Sequence, residues 1–167
     1  MRNLVEFGDK DRAKVYLTRG KVTWVDWDDL YLLVPYRWNA HKRNGKWYAS
    51  TNTKVGGRRR TLSLHTLLLP GATTVDHIDG DGLNNGRKNL RPATQEQQTF
   101  NRGKSRRPLT SAYKGVSLHR MTGRWQAMIG HAPKQYLGLF DEEIAAARAY
   151  DVAAQIRYGA FAKLNFP

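Results

Sequence analysis

Apolar and polar positions alternate through most of residues 14–69, and that period of two predicts a β-rich segment. Val15-Tyr16-Leu17 and Val22-Thr23-Trp24-Val25 flank Arg19-Gly20-Lys21, a hairpin pattern. Asp28 to Leu33 reads as one short helical turn. Asn44-Gly45, the strongest short hairpin turn, separates Trp38-Asn39-Ala40-His41 from Trp47-Tyr48-Ala49-Ser50, and a further pair of strands flanks Gly56-Gly57. An apolar run from Leu62 to Leu69 ends at Pro70-Gly71. The pattern then gives a strand ending in Asp76-His77, a loop rich in Gly and Asn, and a short strand at Asn89-Leu90-Arg91. Thr94 with Gln97 three residues on predicts a capped helix.

Residues 102–112, RGKSRRPLTSA, are basic and aperiodic and read as a linker. From Tyr113 the alternation returns in YKGVSLH, RWQAMIG and KQYLGLF, three strands in succession. Asp141 is expected to cap a helix through DEEIAAARAYDVAAQIRYG, with Glu142 and Glu143 favourable to its dipole. Ala145, Ala149, Val152 and Ile156 mark its expected core face, against Trp125, Ala127 and Ile129 of the middle strand. The opposite sheet face would present Arg124, Gln126 and Met128. The fold expected is α+β in two domains, residues 1–101 and 113–167, joined by the linker.

Charge changes the picture most. Lys and Arg number 28 against 14 Asp and Glu, a net +14, and the excess divides as +7 on residues 1–101 and +7 on residues 102–167. Both parts are therefore expected to meet a polyanion, and double-stranded DNA is the partner predicted. The absence of cysteine excludes disulfides and thiolate zinc sites. MRNLVEFGDK has no apolar signal core and no stretch approaches a membrane span, so a soluble cytoplasmic protein is expected.

The candidate chemistry gathers between Val75 and Gln98. Asp76 and an amide offer the oxygen ligands that a hard divalent cation prefers, and His77 beside them suits proton removal from an attacking water. Metal-assisted phosphodiester cleavage is the chemistry such a set performs. A calcium loop read from Asp79 fails, because Leu83 and Leu90 fall where oxygen ligands are required. His65, inside an apolar run, reads as a packed, hydrogen-bonded core residue in preference to a ligand. Arg58, Arg59 and Arg60 read either as a solvated strand face or as phosphate contacts.

LSLHTLLL followed by VDHIDGDGLNNGRKNLRPAT resembles the HNH homing endonucleases of phages and mobile introns, with VDWDDLYLL and YRWNAHKRNGKWYA similar to the N-terminal arm of freestanding members. The resemblance implies a ββα-metal (His-Me finger) nuclease domain with a β-hairpin arm. It makes His77 the general base, Asn89 the residue that orients its imidazole, and Asp76 a metal ligand. The third motif position holds Gln98 where the family has His or Asn, and Asn101 one helical step on is the fallback ligand. One Mg²⁺ or Mn²⁺ per site is implied, in a monomer or homodimer encoded by a phage and active in a bacterial cytoplasm.

YKGV, RW, YLGLFD, AARAYDVAA and LNFP resemble the plant ethylene-response-factor (APETALA-type) DNA-binding domain, which is also found appended to phage HNH nucleases. That resemblance implies a three-stranded antiparallel sheet on one helix. It puts Lys114, Ser117, His119, Arg120, Arg124, Gln126, Met128, Lys134 and Tyr136 on the DNA face. Tyr136 stands where plant members have tryptophan, and Ser117 and Met128 replace charged readers, so a GC-rich target preference does not carry over. The expected function is a sequence-directed, metal-dependent DNA endonuclease. The alternatives are a non-catalytic DNA-binding regulator on a degenerate nuclease scaffold, which Gln98 favours, and a basic RNA-binding ribosome factor.

Overall fold

The computed structural model of the chain describes residues 3–8, 11–103, 110–130 and 133–167. Most of the predicted linker, residues 104–109, lies outside them. The chain forms two compact units, Met1–Gln95 and Glu96–Pro167.

The first unit begins with an antiparallel sheet of β1 (Val5–Phe7), β2 (Arg12–Tyr16) and β3 (Val22–Asp26). A second sheet, β4 (Asn39–Arg43), β5 (Lys46–Val55) and β6 (Arg58–Ser63), is a meander with β5 at its centre. At its first turn Asn44 and Gly45 both take positive φ, 50° and 78°, the twist that closes a two-residue hairpin. Helices α1 (Leu30–Leu33) and α2 (Leu64–Leu68) are single turns, and β7 (Val75–His77) pairs antiparallel with β8 (Leu90–Pro92). The apolar run before Pro70 thus ends as helix and not as strand. The core gathers Val15, Val25, Trp38, Leu64 and Leu68. Trp38 is 1% exposed and its Nε1–H donates to the Leu33 carbonyl at 3.2 Å, so truncation to Ala should cost about 3–5 kcal/mol.

The second unit holds α3 from Glu96 onward (Gln95–Phe100), then β9 (Val116–His119), β10 (Arg124–Ile129), β11 (Gln135–Phe140) and α4 (Glu143–Tyr158). β10 is central, and Ala127 and Ile129, at 0% and 1% exposure, pack beneath α4. The core face of α4 is not the one expected. Ala146, Ala147, Tyr150 and Ala154 are buried, whereas Val152 and Ile156 face solvent. Ala146, Ala147 and Ala154 let the helix lie close on the sheet, and the Tyr150 ring fits where Gly115 has no Cβ. Asp141 does not cap the helix either, since its carboxylate takes Arg124 Nε at 2.8 Å and Nη2 at 3.2 Å.

The ββα-metal expectation is corrected on one structural point here. β7, β8 and α3 exist as elements, but among the described residues no group of three or more His, Asp or Glu is placed to hold a metal ion.

Candidate nucleic-acid interface

Antiparallel pairing puts directly opposed residues on the same face of a sheet. In the second unit the pairs are His119 with Arg124, Ser117 with Gln126, Gln126 with Leu139, and Met128 with Tyr136. Six of the predicted reading residues (Ser117, His119, Arg124, Gln126, Met128 and Tyr136) therefore share the face opposite α4, and Leu139 joins them.

Tyr136 reaches that face through a bulge. Phe140 pairs with Trp125 and Gly138 with Ala127 on the helix side, so strict alternation would send Tyr136 inward too. The register shifts between Ala127 and Met128, and the extra residue turns Tyr136 outward to 53% exposure. Gly138, at φ 135°, supplies a backbone conformation that a side chain would resist.

Arg124 is held by Asp141 in an exposed ion pair, and His119 Nδ1 lies 2.9 Å from Thr122 Oγ1. Arg120 and Lys134 are exposed beside the sheet. Lys114 differs from the expectation. Its ammonium donates to the Phe100 carbonyl at 2.7 Å and sits 5.8 Å from the centre of the Tyr150 ring, on the helix side. Burial, with Lys163 nearby, lowers its pKa to about 8.

In the first unit Arg58, Arg59 and Arg60 are all exposed on β6, the edge of its sheet. Arg59 faces Lys54 and Arg60 faces Thr53 across the pairing, so the three side chains alternate between faces.

The Asp76–His77 set is buried, with Asp76 9% and His77 5% exposed. Arg91 donates to Asp76 Oδ2 from Nε at 3.0 Å and from Nη2 at 2.8 Å, so this carboxylate already has a cation beside it. His77 Nε2 lies 3.2 Å from Asn85 Oδ1, and Asn85 Nδ2 donates to Thr23 Oγ1 at 2.8 Å, which ties the loop to β3. Asn89, expected to orient the imidazole, donates to Asp79 Oδ1 at 2.9 Å and to the Asn84 carbonyl at 2.8 Å. Asn85, fully buried, is the residue that sequence reasoning missed; its only signal was its place in the Asn84-Asn85-Gly86 turn.

Burial lowers the His77 pKa, against opposing contributions from Asn85, Asp79, Asp76 and Asp81. His65 packs edge-on to His77 with ring centres 5.2 Å apart, and burial lowers its pKa to about 4. Among the described residues its buried Nδ1 has no hydrogen-bond partner. His65 is packed against its neighbours, and the hydrogen bonding expected of it is not made through Nδ1. Gln98 and Asn101 belong to the second unit and Asp76, His77 and Asn89 to the first.

No protein-family profile matches the chain. The chain is 42% identical over 88 residues to the AP2-like ethylene-responsive transcription factor TOE2 of Arabidopsis thaliana, covering 52% of this chain and 18% of that protein. It is 46% identical over 69 residues to the AP2-like ethylene-responsive transcription factor AIL7 of the same plant, covering 35% and 14%. It is 51% identical over 61 residues to APETALA2-like protein 2 of Oryza sativa subsp. indica, covering 36% and 14%. The chain thus spans less than a fifth of the length of each of these three relatives. They support the DNA-binding half of the two resemblances. The enzyme reading is corrected: these relatives are transcription factors and not nucleases, so the HNH phosphodiester hydrolase and its nuclease fold are set aside. The expectation of a phage-encoded protein in a bacterial cytoplasm falls with it, because the relatives are plant proteins.

Proposed function

We propose that this chain is a double-stranded DNA-binding regulator that reads duplex DNA with the outer face of the β9–β10–β11 sheet. The observation that carries the reading is the single face shared by Ser117, His119, Arg124, Gln126, Met128 and Tyr136, with the other face covered by α4. β-Sheet readers place strands in a groove of the duplex, and in the major groove each base pair shows a distinct set of donors and acceptors. Gln126, at the centre of the central strand, suits the paired acceptor and donor of adenine. Arg124 suits the two acceptors of guanine. Its ion pair with Asp141 is exposed and holds it by only about 0.2–1 kcal/mol, so a base edge can displace the carboxylate. Met128 and Tyr136 offer apolar contact to a thymine methyl or a sugar. Arg120, Lys134 and the Arg58–Arg60 strand meet phosphates, which position the protein without selecting sequence.

Selection of bound duplexes from a random pool tests the reading. The full chain should enrich a motif, and Gln126→Ala should relax the preference at one or two positions while losing about 1–3 kcal/mol of discrimination there. Enrichment of no motif, or an unchanged motif in Gln126→Ala, refutes it.

A further inference from the structure

We infer that the first unit carries its own phosphate-backbone site, formed by Arg19, Lys21 and Lys42 around Trp47, that grips duplex DNA without reading its sequence. The inference rests on the DNA-binding reading for the identity of the polyanion, and on the first unit alone for the site.

Three cations from two separate places in the chain converge on one ring. Arg19 Cζ lies 5.7 Å, Lys21 Nζ 5.3 Å and Lys42 Nζ 5.6 Å from the centre of Trp47. Lys42 is directly opposite Trp47 in the β4–β5 register, whereas Arg19 and Lys21 come from the turn between β2 and β3. That turn is pinned in place. Leu17 N–H donates to the Lys21 carbonyl at 2.7 Å, and the Ala40 N–H of β4 donates to Thr18 Oγ1 at 3.0 Å. Arg19 has φ 61° and ψ 29°, the left-handed region that a residue with a side chain enters at a conformational penalty. The turn therefore holds a strained arginine beside two lysines.

No carboxylate lies within ion-pair distance of any of the three cations among the described residues. Cation–π attraction to the indole gathers them, and their mutual repulsion is left uncompensated. Phosphates of successive nucleotides, one against the arginine fork and one against each ammonium group, answer that repulsion directly. Trp24 provides the contrast. Arg12 and Lys14 also approach its ring, but Arg12 is already bonded to Asn84 Oδ1 at 3.1 Å and serves the loop.

The test uses the full-length chain and fluorescence anisotropy with labelled duplexes over a series of salt concentrations. Lys21→Gln with Lys42→Gln should weaken binding by a similar factor on every duplex, and the slope of log K against log salt should become shallower by about two, near 0.9 per phosphate contact. Arg19→Gln alone should lower it by about one. Gln126→Ala with Tyr136→Ala should instead lose sequence preference at an unchanged slope. Lys88→Gln with Arg148→Gln, removing the same charge from exposed positions elsewhere, should leave the slope as it was. Circular dichroism melts verify that each variant folds.

An unchanged slope in both cluster variants overturns the inference, and so does an equal fall in the control pair. Binding of phosphatidylserine vesicles in preference to duplexes, lost in the same variants, overturns it in favour of a membrane surface. If the wild type binds duplexes without preference while the cluster variants still lose slope, the reading face fails and this site stands. If preference persists with no loss of slope, the reverse holds.

Discussion

Lowering the pH should loosen the first unit through His65. Its folded-state pKa lies at about 4 because burial disfavours the cation and His77 stands beside it, while an unfolded histidine titrates near 6.5. A depressed histidine pKa means that the unfolded chain takes up the proton first. Stability is therefore full above about pH 6.5 and falls as the pH drops toward 4. A gap of that size corresponds to roughly 3 kcal/mol when fully expressed, and to roughly 2 kcal/mol at pH 5 relative to pH 8. His77 acts in the same direction, since burial lowers it too. Urea unfolding of the full chain at pH 8, 6.5 and 5 measures the effect, with near-ultraviolet circular dichroism following Trp38 and Trp47. His65→Leu removes the titrating group and the buried Nδ1, so most of the loss between pH 8 and 5 should disappear. A variant that keeps the wild-type pH dependence refutes the assignment to His65.

Asp151 is 8% exposed and accepts from Asn165 N at 2.8 Å, Asn165 Nδ2 at 3.0 Å and Phe166 N at 2.9 Å. Asp151→Ala should release the C-terminal segment at about 2–4 kcal/mol, read as early hydrogen exchange at residues 165–166 and a lower thermal midpoint of the second unit. Gly115 has φ 78°, and a Cβ there would run into the Tyr150 ring, so Gly115→Ala should cost about 2–5 kcal/mol. A differential scanning calorimetry trace with an unmoved second-unit transition would contradict that. Chelation by EDTA should leave duplex affinity unchanged, because the proposed contacts are made by side chains alone; a metal requirement in the anisotropy titration would argue otherwise.

Local chemistry made much of the architecture legible. The Asn44-Gly45 and Gly56-Gly57 turns closed the β4–β5–β6 meander because each short turn suits only one strand geometry. The alternation in YKGVSLH, RWQAMIG and KQYLGLF, followed by a long alanine-rich stretch, announced three strands and a helix, and Ala127 and Ile129 were placed correctly in its core. The even charge division already pointed both parts toward a polyanion. The membrane expectation also rested on sequence, and no helix among the described residues is long and apolar enough to cross a membrane.

What local pattern could not decide was which of several equivalent partners each polar or small side chain would take. Alanines surround α4, so its buried face emerged only when the sheet selected Ala146, Ala147 and Ala154 for close contact. Asp141 had a helix terminus and a cross-strand arginine within reach, and Arg124 took it. Asp76 found Arg91, and His77 found Asn85 rather than the asparagine four positions later. Arg19, Lys21 and Lys42 carry no motif and lie up to 23 residues apart in the chain. Chain order and residue type determine which elements form, because turns and periodicity act over a few neighbouring residues. The fold alone brings distant side chains together, and it alone decides which charges meet a partner within the chain and which are left exposed.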